Sequence, residues 1–149
     1  MARRVEWRRV LAESGSPPAR VLVAEDEEEL RDLVAATLRR DGYDVVTARD
    51  GGELLDRLAS ARLRDEAHTP VDLIISDVRM PGWTGLQILA GIRSTDWATP
   101  VILITGFGDR ETRREATRLG VAAFFDKPFD LDDLRTAVLN ILPARTTAA

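Results

Sequence analysis

The stretch Val71-Asp72-Leu73-Ile74-Ile75-Ser76-Asp77-Val78-Arg79-Met80-Pro81-Gly82 decides the fold of this chain. Its short apolar run, from Leu73 to Ile75, is typical of a central parallel strand that is covered on both faces. An acid, Asp77, follows the run at once, and a Met-Pro-Gly turn comes next. Functional residues of open α/β sheets lie just beyond the carboxyl ends of the strands. Asp77 is therefore a candidate site residue, and the alternative is a turn residue that only caps the loop.

The bulk composition is that of an ordinary globular domain. The 149 residues suffice for one domain with a hydrophobic core, and 31% charged with 44% hydrophobic residues is a usual balance. The absence of cysteine excludes disulfides, zinc-thiolate sites and thiol catalysis. The apolar runs are shorter than the roughly 18 residues of a membrane span, and the arginine-rich N-terminus lacks the apolar segment of a secretory signal. We therefore expect a cytoplasmic protein.

Charge is unevenly distributed along the chain. The net charge of −4 does not favour nucleic-acid binding. Residues 1–20 hold five arginines against two glutamates, a local charge of +3 that leaves −7 for the remainder. A Ser-Gly-Ser-Pro-Pro linker ends this part. We divide the chain into a basic arm and linker (1–19), one domain (20–143) and a short tail (144–149). The arm is expected to be loosely ordered or to dock on a partner or on the domain.

Strand and helix patterns alternate along the domain. We predict strands near 21–24, 43–48, 73–75, 101–104 and 122–125, each followed by a helical pattern. In the first helix, Leu30, Leu33, Val34 and Leu38 recur at helical spacing and form the predicted apolar face. Gly42 and Gly120 are the predicted ends of the first and fourth helices. Five alternations predict an α/β fold with a doubly wound, five-stranded parallel sheet. Right-handed crossovers favour the strand order 2-1-3-4-5, which places strands 1 and 3 side by side at the switch point.

Polar residues follow four of the five predicted strands: Glu25 with Asp26, then Asp77, Thr105 and Lys127, the chain's single lysine. Parallel strands share a carboxyl edge, so these side chains should lie together. Three carboxylates in one crevice repel each other unless a cation neutralises them. An all-oxygen site open to water suits Mg²⁺. The lysine adds a second positive charge, and the threonine adds a hydroxyl donor.

Carboxylate, metal, ammonium and hydroxyl together indicate a phosphoryl-transfer site with Asp77 as nucleophile. Each residue taken alone has an ordinary alternative. Glu25 and Asp26 are also explained as a helix cap, Thr105 as a turn residue, and Lys127 as a surface lysine before a proline. The occurrence of all of them at strand ends favours the site.

Over about residues 20–142 the chain resembles the receiver domain of bacterial two-component response regulators, in its stand-alone, chemotaxis-type form. Four motifs carry the resemblance: Val-Leu-Val-Ala-Glu-Asp-Glu, Ile-Ile-Ser-Asp-Val-Arg-Met-Pro-Gly, Ile-Thr-Gly-Phe-Gly and Phe-Asp-Lys-Pro-Phe. The resemblance implies a flavodoxin-like (βα)5 fold and a phosphorylation-dependent signalling switch. It also implies a histidine kinase or phosphotransfer protein as phosphoryl donor. Such a domain catalyses only its own phosphorylation and dephosphorylation.

The resemblance further implies a role for each site residue. Asp77 would be the phospho-acceptor and Lys127 its partner, which then pairs with the phosphoryl group. Asp26 would ligate Mg²⁺ together with Asp77, with Glu25 helping, often through water. The backbone carbonyl of Arg79 would be a further metal ligand. The Lys127-Pro128 bond resembles the cis peptide of the family.

The expected switch involves Thr105 and Phe124, the aromatic residue three positions before the lysine. A phosphoryl group adds roughly −1.5 to −2 charge. Thr105 would bond it and move inward, vacating space for the ring and altering the face formed by helix 4, strand 5 and helix 5. This face is expected to bind a downstream protein, and whether it also dimerises is left open. Thin apolar anchoring of helix 4, mainly by Ala116 and Leu119, fits an element that shifts.

Several features depart from the common pattern of the family. The stretch 62–70 lengthens the interval between Asp26 and Asp77. Arg79 and Phe107 flank the phosphoryl pocket, where this family tunes dephosphorylation. His68, the only histidine, lies in a variable region, so the donor histidine must be on another protein. No output domain is expected after Pro143.

Three alternatives remain at this stage. A small Mg²⁺-dependent aspartyl-phosphate phosphatase would need a second acid where Arg79 stands. A flavodoxin-like cofactor-binding module would need a loop of small residues where Glu25 and Asp26 stand, since an acidic pair repels phosphate. An interaction module that never needs phosphorylation is compatible with the same fold.

Overall fold

A computed structural model of the chain describes residues 18–62, 70–95, 98–106 and 108–142. The predictions made for the basic arm before residue 18, for His68, for Phe107 and for Pro143 with the tail lie outside these ranges.

The sheet has five parallel strands, β1 to β5: Arg20–Ala24, Asp44–Ala48, Leu73–Asp77, Val101–Thr105 and Ala123–Asp126. Their order is β2-β1-β3-β4-β5, so the predicted topology is confirmed. All five residues of β3 are buried, as expected for a strand paired on both sides and covered on both faces. The register pairs Ala24 with Ser76 and Asp77 with Ile104. The carboxyl ends of β1, β3 and β4 therefore meet at one edge.

Five helices, α1 to α5, alternate with the strands: Glu28–Arg40, Gly51–Arg62, Gly85–Ser94, Arg110–Arg118 and Leu131–Ile141. Helices α1 and α5 pack on one face of the sheet, and α2, α3 and α4 pack on the other. Each fully buried Leu or Ile in these two cores contributes roughly 1.5–3 kcal/mol. Among the described residues, no helix is both long enough and apolar enough to cross a membrane.

The predicted helix ends are confirmed at two glycines. Gly42, after α1, has φ = 100°, and Gly120, after α4, has φ = 77°. A residue with a Cβ rarely adopts this left-handed conformation, so glycine suits the position that ends a helix.

One core prediction is wrong. Leu33 is 48% exposed, although its spacing placed it on the apolar face of α1. The buried face of this helix is centred on Val34 and Leu38, and Leu33 lies at its margin, where the described residues leave about half of it exposed. The thin anchoring of α4 is confirmed, because Ala116 is the buried residue of that helix and Leu119 is partly buried.

Candidate metal centre at the carboxyl edge of the sheet

The predicted polar residues converge at the carboxyl edge of the sheet. Glu25 and Asp26 follow β1, Asp77 and Thr105 end β3 and β4, and Lys127 follows β5. Burial there is deep, since Glu25 is 3%, Asp77 4% and Thr105 0% exposed, whereas Asp26 lies exposed to solvent. Burial of charged groups is costly unless they are paired. The buried acids at this edge therefore require positively charged partners.

Three carboxylates form one cluster. Oxygen atoms of Glu25, Asp26 and Asp77 all lie within 4.8 Å of one another. The second oxygen of Glu25, Oε2, accepts the backbone N–H of Glu27 at 3.0 Å. Its Oε1 is shielded from solvent and has no well-formed hydrogen bond among the described residues. Two buried carboxylates beside an exposed one offer oxygen ligands and access for water, which fits Mg²⁺.

Lys127 supplies positive charge inside this cluster. Its Nζ donates to Asp77 Oδ2 at 2.6 Å and lies 3.0 Å from Glu25 Oε1, an ion pair. Burial lowers the pKa of Lys127, but its contacts with the carboxylates of Asp77 and Glu25 outweigh this effect, so the pKa lies above its usual value. The ammonium is thus charged throughout the physiological range.

The pocket does not fully compensate the negative charge of the Glu25 carboxylate. The pKa of Glu25 is raised to about 7, mainly by burial and also by the charge of Asp77. The backbone N–H of Glu27 and the ammonium of Lys127 act in the opposite direction and only partly offset this rise. One ammonium therefore does not neutralise two buried carboxylates. A divalent cation in the cluster would supply the missing charge.

Both oxygens of Asp77 are held in place. Oδ1 accepts the backbone N–H of Arg79 at 3.0 Å, and Oδ2 accepts the ammonium of Lys127. The loop after Asp77 is tied back, because the N–H of Gly85 donates to the carbonyl of Val78 at 2.9 Å. A capping box between Thr84 and Gln87 then starts α3. The carboxylate is thus presented in a defined orientation.

Thr105 and Phe124 lie on the neighbouring strands. The carbonyl of Thr105 accepts the backbone N–H of Lys127 at 2.8 Å, which joins the ends of β4 and β5. Phe124 is partly buried against the α2–α3–α4 core, and Phe125 packs on the opposite face, as strand alternation predicts. The Lys127-Pro128 peptide bond is cis, as predicted.

The edge is accessible from one side. A cleft of about 590 Å³ opens beside Asp26 and is bounded by residues of the β3–α3 loop, including Arg79 and Thr84, and by Thr112 of α4. Water and a small reactant can therefore reach the cluster at Asp26. Arg79 lines this cleft, as expected from its predicted position beside the pocket.

Sequence reasoning missed two residues that position the site. A Cβ at Gly85 would lie 2.5 Å from the carbonyl oxygen of Asp77, so only glycine fits there without a shift. A glycine directly after the capping Thr84 is a usable signal of such a close approach. Arg31 donates from Nη1 to the carbonyl of Glu25 at 3.1 Å. Nothing in the sequence distinguishes this arginine from a solvent-exposed one.

Comparison with known proteins agrees with this geometry. The family model for the response regulator receiver domain matches residues 21–139. Sporulation initiation phosphotransferase F of Bacillus subtilis is 30% identical over 127 residues, which cover 85% of this chain and 96% of that protein. Transcriptional regulatory protein GlrR of Escherichia coli is 37% identical over 125 residues, which cover 84% of this chain and 26% of that protein.

Solved structures show the same fold. Chemotaxis protein CheY4 of Vibrio cholerae is similar with a TM-score of 0.70 and 31% identity, over 84% of this chain and 99% of that one. Response regulator protein TrrA of Thermotoga maritima, solved in complex with Mg²⁺ and BeF, is similar with a TM-score of 0.69 and 30% identity, over 83% of this chain and 99% of that one.

Proposed function

This chain belongs to the response regulator receiver domain family, and on that premise we propose that it is a Mg²⁺-dependent switch phosphorylated on Asp77. The observation that carries the proposal is the surroundings of this carboxylate. Lys127 donates to it at 2.6 Å, and two further carboxylates lie within 4.8 Å. A buried acid with a charged donor and a set of carboxylate oxygens that suits a metal ion fits attack on phosphorus.

In the proposed reaction, an oxygen of Asp77 attacks the phosphorus of a phosphohistidine on a histidine kinase or phosphotransfer protein. The new P–O bond forms as the P–N bond breaks, and the imidazole leaves with its electron pair. The product on this chain is an acyl phosphate. The backbone N–H of Arg79 and the ammonium of Lys127 orient the attacking carboxylate. Orientation of this kind removes much of the entropic barrier.

The metal would be held by Glu25, Asp26 and Asp77, with the backbone carbonyl of Arg79 as the ligand that family resemblance adds. When bound, Mg²⁺ supplies positive charge to the oxygens of the transferring phosphoryl group. The chain's own residues do the rest. Lys127 stays protonated and passes from the carboxylate to a phosphoryl oxygen, which balances the charge that develops there.

The output of the switch is proposed to run through Thr105 and Phe124. The buried Thr105 hydroxyl would donate to a phosphoryl oxygen, and its inward movement would free space for the Phe124 ring. The face formed by α4, β5 and α5 would then change its shape toward a downstream protein. The single buried residue of α4 supports this, because a weakly packed helix moves at low cost.

The test is phosphorylation by acetyl phosphate with Mg²⁺, followed by phosphate-affinity electrophoresis. Wild-type protein should become modified, and Asp77→Asn should not, because an amide is not a nucleophile under these conditions. The control is Asp56→Asn, which removes an exposed acid of α2 and should behave as wild type. EDTA should abolish the modification. Uptake by Asp77→Asn at the wild-type level would refute the assignment.

The partner proposal is tested separately by affinity capture with and without beryllofluoride, a mimic of the phosphoryl group. Proteins captured in only one of the two samples are those whose binding depends on the switch. An interaction module that ignores phosphorylation would retain the same partners in both samples. The cytoplasmic location and the absence of nucleic-acid binding stay predictions.

A further inference from the structure

Arg113, in the N-terminal half of α4, makes two contacts with β5. Its Nη2 donates to Oδ2 of Asp126, and its Cζ lies 4.4 Å from the centre of the Phe124 ring. A guanidinium at this distance over a ring face is attracted by the π electrons. One side chain of α4 therefore contacts the ring of the proposed switch and also pairs with the acid directly before Lys127.

The same ring also lies close to Gly108. A Cβ at Gly108 would lie 3.0 Å from Thr105 Cγ2 and 3.2 Å from Phe124 Cε1, and it would collide with Oδ1 of Asp126. These three side chains thus meet around one glycine, with no side chain between them. Their common neighbour Gly108 places Thr105 close to both the ring and the partner of Arg113.

The other end of α4 is fixed by a different arginine. Arg93 of α3 donates to the carbonyl of Leu119 at 3.1 Å and to that of Gly120 at 3.3 Å. The C-terminal end of α4 is thus tied to α3, and Arg113 ties the N-terminal half to β5. Movement of α4 against β5 therefore requires the Arg113 contacts to change while the C-terminal end stays in place.

We propose that Arg113 is a positioning residue that holds the Phe124 ring in the position observed here until Asp77 is phosphorylated. The inference rests on the proposed function of this site. The cation–π contact exists with the ring in its present position and would be lost if the ring turned away from Arg113, so it favours the unphosphorylated conformation. A contact that stabilises only the unphosphorylated state lowers the population of the phosphorylated conformation. It thereby lowers the apparent affinity for a ligand that binds the phosphorylated conformation.

The experiment titrates Mg²⁺-loaded protein with beryllofluoride by calorimetry. Arg113→Gln should bind about two- to tenfold more tightly than wild type, the size expected for losing one partly exposed cation–π contact and one surface ion pair. The matched control is Arg114→Gln, which removes the same charge from the neighbouring exposed position of α4. Loss of a cation alone weakens anion binding, so tighter binding by Arg113→Gln and not by Arg114→Gln separates positioning from net charge.

A second readout follows the ring itself. With 4-fluorophenylalanine incorporated, and the Phe124 signal assigned by its loss in Phe124→Leu, metal-free Arg113→Gln should show that signal shifted toward its beryllofluoride-bound position. A merely structural role would lower the melting temperature without this shift. Asp126→Asn should act in the same direction, and less than additively with Arg113→Gln, because the two residues form one unit.

The outcomes distinguish the two proposals. If wild type binds beryllofluoride but Arg113→Gln binds equally or more weakly, the inference about Arg113 is overturned and the proposed function stands. An unshifted Phe124 signal overturns it as well. If wild type binds no beryllofluoride with Mg²⁺ present, both proposals fail.

Discussion

Lys127 Nζ lies 2.6 Å from Asp77 Oδ2, so the ammonium after β5 donates to the acid that ends β3, across the intervening β4. The same ammonium contacts Glu25 at 3.0 Å. One cation therefore serves two buried carboxylates. This shared pairing determines how the site responds to mutation, to pH and to divalent ions.

Lys127→Gln should destabilise the metal-free protein at pH 7 by about 1–3 kcal/mol, because it leaves Asp77 and Glu25 buried without their cation. Urea denaturation in EDTA measures this loss, and added Mg²⁺ should restore part of it. Arg135→Gln is the control, since it removes an exposed pair with Asp41 at 2.8 Å and should cost less. Equal losses in the two variants would contradict the buried-pair argument.

The stability that Glu25 contributes should depend on pH in a defined direction. In the folded protein its pKa is about 7, against an ordinary value of 4.5, so between these values the folded state binds more protons than the unfolded state. The contribution is fully present below pH 4.5 and is lost as pH rises through about 7.

The check is the difference in unfolding free energy between wild type and Glu25→Gln in EDTA at pH 5 and pH 8. The unfolding free energy of wild type should fall relative to that of Glu25→Gln as the pH rises. Mg²⁺ should oppose this trend at pH 8, because it stabilises the ionised carboxylate. A difference that moves in favour of wild type with rising pH in EDTA would show that the pKa of Glu25 is not raised.

Two glycines of α3 should respond to alanine with opposite signs. At Gly85 a Cβ would lie 2.5 Å from the carbonyl of Asp77 and 3.0 Å from the Leu103 side chain, so Gly85→Ala should cost about 1–3 kcal/mol. At Gly91 an added Cβ would meet no described residue outside its own helix within 4 Å, so Gly91→Ala should stabilise by about 0.5–1 kcal/mol through helix propensity. Gly85→Ala should also weaken Mg²⁺ binding. Equal effects of the two substitutions in urea denaturation would refute the close approach.

Arg93→Met should loosen the C-terminal end of α4. The guanidinium donates to the carbonyls of Leu119 and Thr99 at 3.1 Å and of Gly120 at 3.3 Å. Losing these charge-assisted bonds should cost about 1–2 kcal/mol, since they are partly exposed to water. Hydrogen exchange should quicken at the Val121 amide, which bonds the Ala116 carbonyl. Arg114→Met, at an exposed position of the same helix, should leave that amide protected.

Much of the molecule follows from local patterns. The strand order is confirmed, the helices end at Gly42 and Gly120 as predicted, and the acids, threonine and lysine lie at the expected strand ends. These features are encoded over a few residues, by apolar runs, helical spacing and turn glycines. The helical spacing fails at Leu33, because spacing predicts which face of a helix is apolar but not how far the neighbouring elements cover that face.

Local sequence patterns predict the fold class, the edge where the polar residues gather and the residue types of the candidate site. The packed structure is needed to show which oxygen of Asp77 accepts from Lys127, that Gly85 lies against the Asp77 backbone, and that Arg113 contacts the Phe124 ring. Such contacts join residues distant in the chain, and they depend on strand register, helix placement and side-chain direction together. The local spacing of residues cannot predict these contacts, because they form only when the elements pack against one another.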